Sequence, residues 1–186
     1  MGQTSWGDTP ARYGRVSRVF HWLGAGLLIW QFAVIGAYRL IGQSPLLDKI
    51  AGLGPSHGVV GLYVLALVIA RAIWRWRNRQ ARPRHQGLLG RAARIGHLAF
   101  YALMFAIPAL ALLRAYGNGK GWNHWGIQIV PATGHETGWM VQAANALHGE
   151  LAWLLLALIA GHVLMVVVHH LWLREPLLSR MAGRLK

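Results

Sequence analysis

Four long uncharged stretches leave this 186-residue chain few folds to choose from. Twenty residues separate Arg18 from Arg39, 21 separate Lys49 from Arg71, 19 separate Arg94 from Arg114, and 23 separate Glu150 from Arg174. Each meets the roughly 20 apolar residues that a helix needs to cross the hydrocarbon core of a bilayer. In lipid every backbone N–H and C=O must be satisfied within the protein, which restricts spanning structures to helices and closed barrels. The stretches are too long for barrel strands and lack their strict alternation. The expectation is an all-α integral membrane four-helix bundle, a single domain over 1–186 with helices at about 19–38, 55–72, 95–113 and 140–173. No separate short apolar segment with a cleavage site precedes Arg18, so the first helix reads as an uncleaved anchor.

Basic residues set the expected orientation. Of the 19 Lys and Arg residues, 15 fall before the first stretch, between the second and third, or after the fourth. Only Arg39, Lys49, Arg114 and Lys120 fall on the other side. The positive-inside rule then places both termini in the cytoplasm. The formal charge of +14 reflects this asymmetry and an affinity for anionic lipid. A basic run with Trp74 and Trp76 could otherwise indicate nucleic acid; beside a membrane span it reads as an interfacial anchor, and nucleic acid is not an expected partner. Pro83 and Gly87 should break any long helix across the arginine-rich connection of residues 71–94. The outer connection from Arg114 to about Trp139, rich in Gly and Trp, should lie on the membrane surface as a cap.

Histidines supply the chemistry. His148 and His162 are 14 residues apart, which returns to nearly the same helix face about 21 Å further along. His57 lies near the outer start of the second helix and His21 near the cytoplasmic start of the first. Depth therefore pairs His57 with His148 and His21 with His162, although His169, on the face of His162, competes for the inner pairing. Histidines at such depth are costly without partners and mark function. Two stacked b-type haems, each between two imidazoles, explain all four. The chain has no cysteine, which excludes disulfides, cluster ligation and covalent haem attachment. Gly24, Gly58, Gly61, Gly149 and Gly161 lie near these histidines and would give a flat macrocycle room; small residues also let membrane helices pack closely. His97 should open the third helix, where a headgroup, a propionate or a quinone carbonyl is within its chemistry.

The segments RVFHWLGAGLLIW, GPSHGVVGLY, RIGHLAFYALMFAIPALALL and ALHGELAWLLLALIAGHVLMVVVHHLW resemble the bacterial cytochrome b561 family, which includes superoxide oxidase of bacterial inner membranes. The resemblance runs from about Tyr13 to about Met181 and is weakest in the outer loop. It implies two non-covalent haem b groups with iron ligands His21 and His162 for one and His57 and His148 for the other, which sets His169 aside.

Two imidazoles on each iron leave no open site for oxygen activation, so one-electron transfer is the expected task. The resemblance implies superoxide as electron donor and ubiquinone as acceptor. Arg114, Lys120, Arg39, Lys49 and His124 are available to steer the anion, and His97, His169, His170, Arg18, Arg71 and Trp22 to meet the quinone. The alternative is an electron-transfer subunit linking a periplasmic dehydrogenase or hydrogenase partner to the quinone pool. Relatives in larger assemblies often carry a fifth helix, and its absence here favours the stand-alone enzyme. A haem-free transporter working through histidine proton relays would call for intramembrane acids, which the four stretches lack.

Overall fold

The computed structural model describes residues 6–10, 12–81, 87–172 and 181. Its elements are α1 (Arg15–Ile41), α2 (Pro45–Ala51), α3 (His57–Arg77), α4 (Gly87–Gly117), β1 (Trp122–His124), β2 (Ile127–Val130) and α5 (Gly138–Leu171). The helices α1, α3, α4 and α5 are each long and apolar enough to cross a membrane. α1, α4 and α5 are longer than their uncharged stretches, and α3, as long as its own, is shifted past Arg71, because charged residues at membrane edges continue the helix. Arg71, Arg75 and Arg77 complete α3, and Arg91 and Arg94 lie in the first turns of α4. The anticipated break between these helices is shorter than expected, and Gly87 begins α4 in a left-handed conformation with φ 75°. His97 therefore sits ten residues into α4 and does not open it. Arg82, Pro83, Arg84, Arg174, Arg180, Arg184 and Lys186 lie outside the described residues.

Neighbouring helices pack in the order α1, α3, α4, α5, and the most extensive contact joins α4 to α5. The buried core lies at mid-depth: Val60, Val64 and Val68 form an i, i+4, i+8 stripe on α3 and meet Leu103 and Met104 of α4 and Leu155 of α5. Leu155 is midway between His148 and His162, so this apolar layer separates an upper from a lower histidine level. Gly24 has a packing role: a Cβ there would lie 3.2 Å from Leu67 Cδ2, so its contact is with α3. Gly149 and Gly161 face open space.

One end of the bundle carries the start of α1 and the end of α5. Here the buried Asp8 carboxylate accepts from Gly14 N at 2.9 Å and from Ser17 Oγ at 3.0 Å, and Ser17 Oγ in turn accepts from Trp74 Nε1 at 3.0 Å. The acid satisfies donors at the N-terminus of α1 and ties that helix to α3. Asp8→Ala strands these buried donors at a cost of about 1–3 kcal/mol. A lower thermal midpoint in detergent is the expected outcome, and an unchanged midpoint would show that the tie contributes nothing.

The opposite end holds two elements outside the four-helix expectation, a short helix and a strand pair. Helix α2 begins at Ser44, whose side chain caps Leu47 N at 3.2 Å; it buries Leu47, exposes Leu46 and Ile50, and is anchored by Tyr38 Oη donating to Asp48 at 2.8 Å. Strands β1 and β2 form an antiparallel hairpin turned at Trp125 (φ 51°) and Gly126 (φ 78°), the positive-φ pair that a tight hairpin requires. Gly119 and Gly121 carry positive φ where the loop backbone crosses itself, and a Cβ at either would collide with that backbone. The hairpin thereby folds back over the bundle, with Trp122 against Gly58 of α3.

Candidate haem sites

At the hairpin end the first residue of α3, His57, faces His148 of α5, with ring centres 5.9 Å apart and ring planes at 64°. At the other end His21 of α1 faces His162 of α5, with ring centres 6.3 Å apart and planes at 62°. An imidazole nitrogen binds a metal at about 2.0–2.1 Å and its ring centre lies roughly 1.2 Å beyond, so two imidazoles across one metal have centres about 6.3–6.5 Å apart. The lower pair meets this separation and the upper pair is within a few tenths of an ångström of it. Among the described residues no group of three or more His, Cys, Asp or Glu side chains forms a self-sufficient metal site. Two imidazoles per level are what a porphyrin iron leaves for the protein to supply.

The surroundings of the upper pair suit a macrocycle. An apolar cavity of about 210 Å³ is lined by His57, His148, Gly58, Gly61, Gln31 and Trp122, among others. Gly58 and Gly61 keep this wall low: a Cβ at Gly58 would lie 3.4 Å from the Trp122 ring, and one at Gly61 3.9 Å from Pro108. Trp122 belongs to the hairpin, so this loop walls the cavity as well as covering the bundle.

Each upper histidine has an orienting partner. His148 Nδ1 lies 3.0 Å from the Ile107 carbonyl of α4, which fixes the proton on Nδ1 and leaves Nε2 for a metal. Pro108 follows immediately; lacking an N–H, it removes a bond to the Met104 carbonyl and loosens the helix at this turn. The Gln31 amide of α1 lies 2.8 Å from His57 Nδ1 and donates to the His57 carbonyl at 3.2 Å. A half-turn of that amide presents its oxygen to an Nδ1 proton, as a metal on Nε2 demands. Neither partner was anticipated. Gln31 had a signal, as the lone amide in 20 uncharged residues; a backbone carbonyl has none beyond the proline beside it.

The lower pair has a denser ring environment. Trp22 meets His21 edge to face at 5.2 Å and donates from Nε1 to the Met181 carbonyl at 3.3 Å. Phe100 and His97 of α4 meet His162 at 5.6 and 6.2 Å. Arg71 lies within electrostatic reach of His21, His97 and His162, and the Arg71 and Arg75 guanidiniums both lie 5.6 Å from the Tyr101 ring centre. Of the residues considered for the quinone, the fold thus gathers Trp22, Arg71 and His97 at this level. Arg18 and His169 are half-buried and His170 is exposed.

The cations considered for steering are all at the hairpin end. Arg114, Lys120, Lys49 and Arg39 are exposed, the last with its guanidinium 6.0 Å from the Trp153 ring centre. His124 differs: it packs 4.6 Å from the Trp125 ring and its Nε2 is buried without a hydrogen-bond partner.

Facing histidines at two levels of a bundle of membrane-length helices are a geometry that tetrapyrrole iron can accept. The chain belongs to the prokaryotic cytochrome b561 family, whose model matches residues 12–184, and this family binds haem b. It is 33% identical over 183 residues to "Cytochrome b561 homolog 2" of Escherichia coli (strain K12), covering 97% of this chain and 96% of that one. It is 24% identical over 174 residues to "Probable superoxide oxidase CybB" of Yersinia pestis, covering 91% of this chain and 95% of the relative.

Proposed function

We propose that this cytochrome holds two non-covalent haem b groups, one between His57 and His148 and one between His21 and His162, and acts as a superoxide:ubiquinone oxidoreductase of the bacterial inner membrane. The observation that carries the reading is the pair of facing imidazoles at each of two levels of α5, both near the separation for a shared iron. When bound, such haems supply one-electron transfer through their edges and offer oxygen no coordination site. Two superoxide anions, one quinone and two protons give two dioxygen molecules and one quinol.

The residues take distinct parts in this reaction. Ile107 and Gln31 orient the upper imidazoles, and the apolar cavity wall keeps water from them. With the hairpin end in the periplasm and both termini in the cytoplasm, exposed Arg114, Lys120, Arg39 and Lys49 raise the local concentration of an approaching anion. The exposed cations at this end and the similarity to a probable superoxide oxidase support superoxide as donor. For the quinone, an apolar groove of about 370 Å³ runs along α1 from Trp22 past Gly26 to Trp30 and Pro55; Trp22 is the residue it shares with the cluster that includes Arg71 and His97. Arg18, His169 and His170 belong to the same end of the bundle. These residues would receive the carbonyls and deliver protons to them while the groove takes the apolar tail.

The second reading, a subunit serving a periplasmic redox protein, is favoured by one feature: Trp125 and Ile127 at the hairpin tip are 81% and 64% exposed. The test is made on purified protein in detergent. Superoxide should reduce the haem without any partner protein, and added ubiquinone should reoxidise it, more slowly in His169→Ala at unchanged haem content. Haem that superoxide cannot reduce would remove the oxidase reading. Native reoxidation in both His169→Ala and His97→Ala would move the quinone elsewhere.

A further inference from the structure

His97 passes the same geometric test that assigns His21 to the lower iron. Its ring centre lies 6.2 Å from that of His162 with planes at 71°, against 6.3 Å and 62° for His21. Both values match the separation of about 6.3–6.5 Å for imidazoles on opposite sides of one metal. The three rings do not form a three-ligand metal group; they make two alternative pairs that share His162.

His97 is also prepared electronically for iron. Its Nδ1 lies 2.6 Å from the Ala93 carbonyl, one turn back on its own helix. The Nδ1 proton is thereby fixed and the Nε2 lone pair left free, the tautomer that binds a metal and the device found at His148. The helix carrying His97 is already packed against α5, and Phe100, three residues on, holds the His162 ring from the same side.

We propose, on the reading that His162 binds the lower haem, that His97 is a reserve axial ligand able to replace His21 opposite His162. With haem bound, the exchange would break one bond from iron to the His21 imidazole and form one to His97 Nε2. Both imidazoles enter neutral, so no proton or electron is gained or lost. The lower site can then remain six-coordinate and low-spin whether α1 or α4 supplies the second imidazole.

The test uses holoprotein of His21→Ala, His97→Ala, the double variant and His162→Ala, with His21→Phe repeating the first substitution with the space filled. Haem per chain is counted by pyridine haemochrome and coordination is read by low-temperature EPR; the upper haem, untouched in every variant, reports that the bundle is folded. Both single alanine variants and His21→Phe should keep two low-spin haems, with altered g values for the lower haem where His21 is replaced. The double variant should fall to one. A single haem or a high-spin lower haem in both His21 variants would overturn the proposal, as would two low-spin haems in the double variant. Loss of a haem on replacing His97 alone would make it the fixed ligand and overturn it too. Two haems in His162→Ala would instead remove the pairing on which the proposal rests.

Discussion

Replacing His148 with alanine is expected to lower the haem content from two per chain to one and to leave the remaining spectrum that of the lower site. His148 is the α5 half of the upper pair and the one fixed by the Ile107 carbonyl, so its loss leaves His57 facing an apolar cavity with no imidazole opposite. His162→Ala should remove the lower haem in the same all-or-none way, because both alternative partners there depend on it. His169→Ala should leave both haems in place: it is seven residues beyond His162, about 10.5 Å further along the helix. Loss of a haem on replacing His169 but not His162 would show that the lower pairing is wrong. The prediction is of occupancy, so it can be read without knowing the electron donor.

Reversing Arg114 and Lys120 together to glutamate should slow reduction by superoxide to an extent set by salt. A unit charge about 10 Å from the anion contributes roughly 0.4 kcal/mol in unscreened water, and reversal doubles the change. With a Debye length of about 30 Å at 0.01 M the two reversals slow the reaction about sevenfold; with about 8 Å at physiological ionic strength, about twofold. Both side chains are exposed and outside the cavity lining, so the haem spectrum should not change. A rate indifferent to both charge and salt would count against steering and favour a partner protein as donor.

Much of this molecule is legible in its sequence because lipid imposes simple rules. An uncharged stretch of about 20 residues has one economical structure in a bilayer, and the helices α1, α3, α4 and α5 follow from that alone. Their ends do not, because Arg75, Arg77 and Arg91 are helical although charged, and charge marks the membrane edge without marking the helix edge. The same shift moved His97 from a helix start to the interior of α4, beside His162. Histidine depth and spacing anticipate the two facing pairs. Glycine is a less specific guide: Gly58 and Gly61 border the cavity, and Gly24 lies against Leu67. In both settings the residue does the same physical work, removing a side chain, and only the neighbour distinguishes them. The hairpin was illegible as strands because three- and four-residue strands carry too little periodicity, and its turn is built on Trp125 where Asn or Asp would have signalled it. The Ile107 carbonyl had no side-chain signature at all.

The most direct measurement is the number of haem b groups per chain in the purified protein, by pyridine haemochrome against quantitative amino-acid analysis, with EPR on the same sample. Two facing histidine pairs predict a ratio of two and only low-spin, bis-imidazole signals. A reproducible ratio of one, or a stoichiometric high-spin signal, would contradict the account.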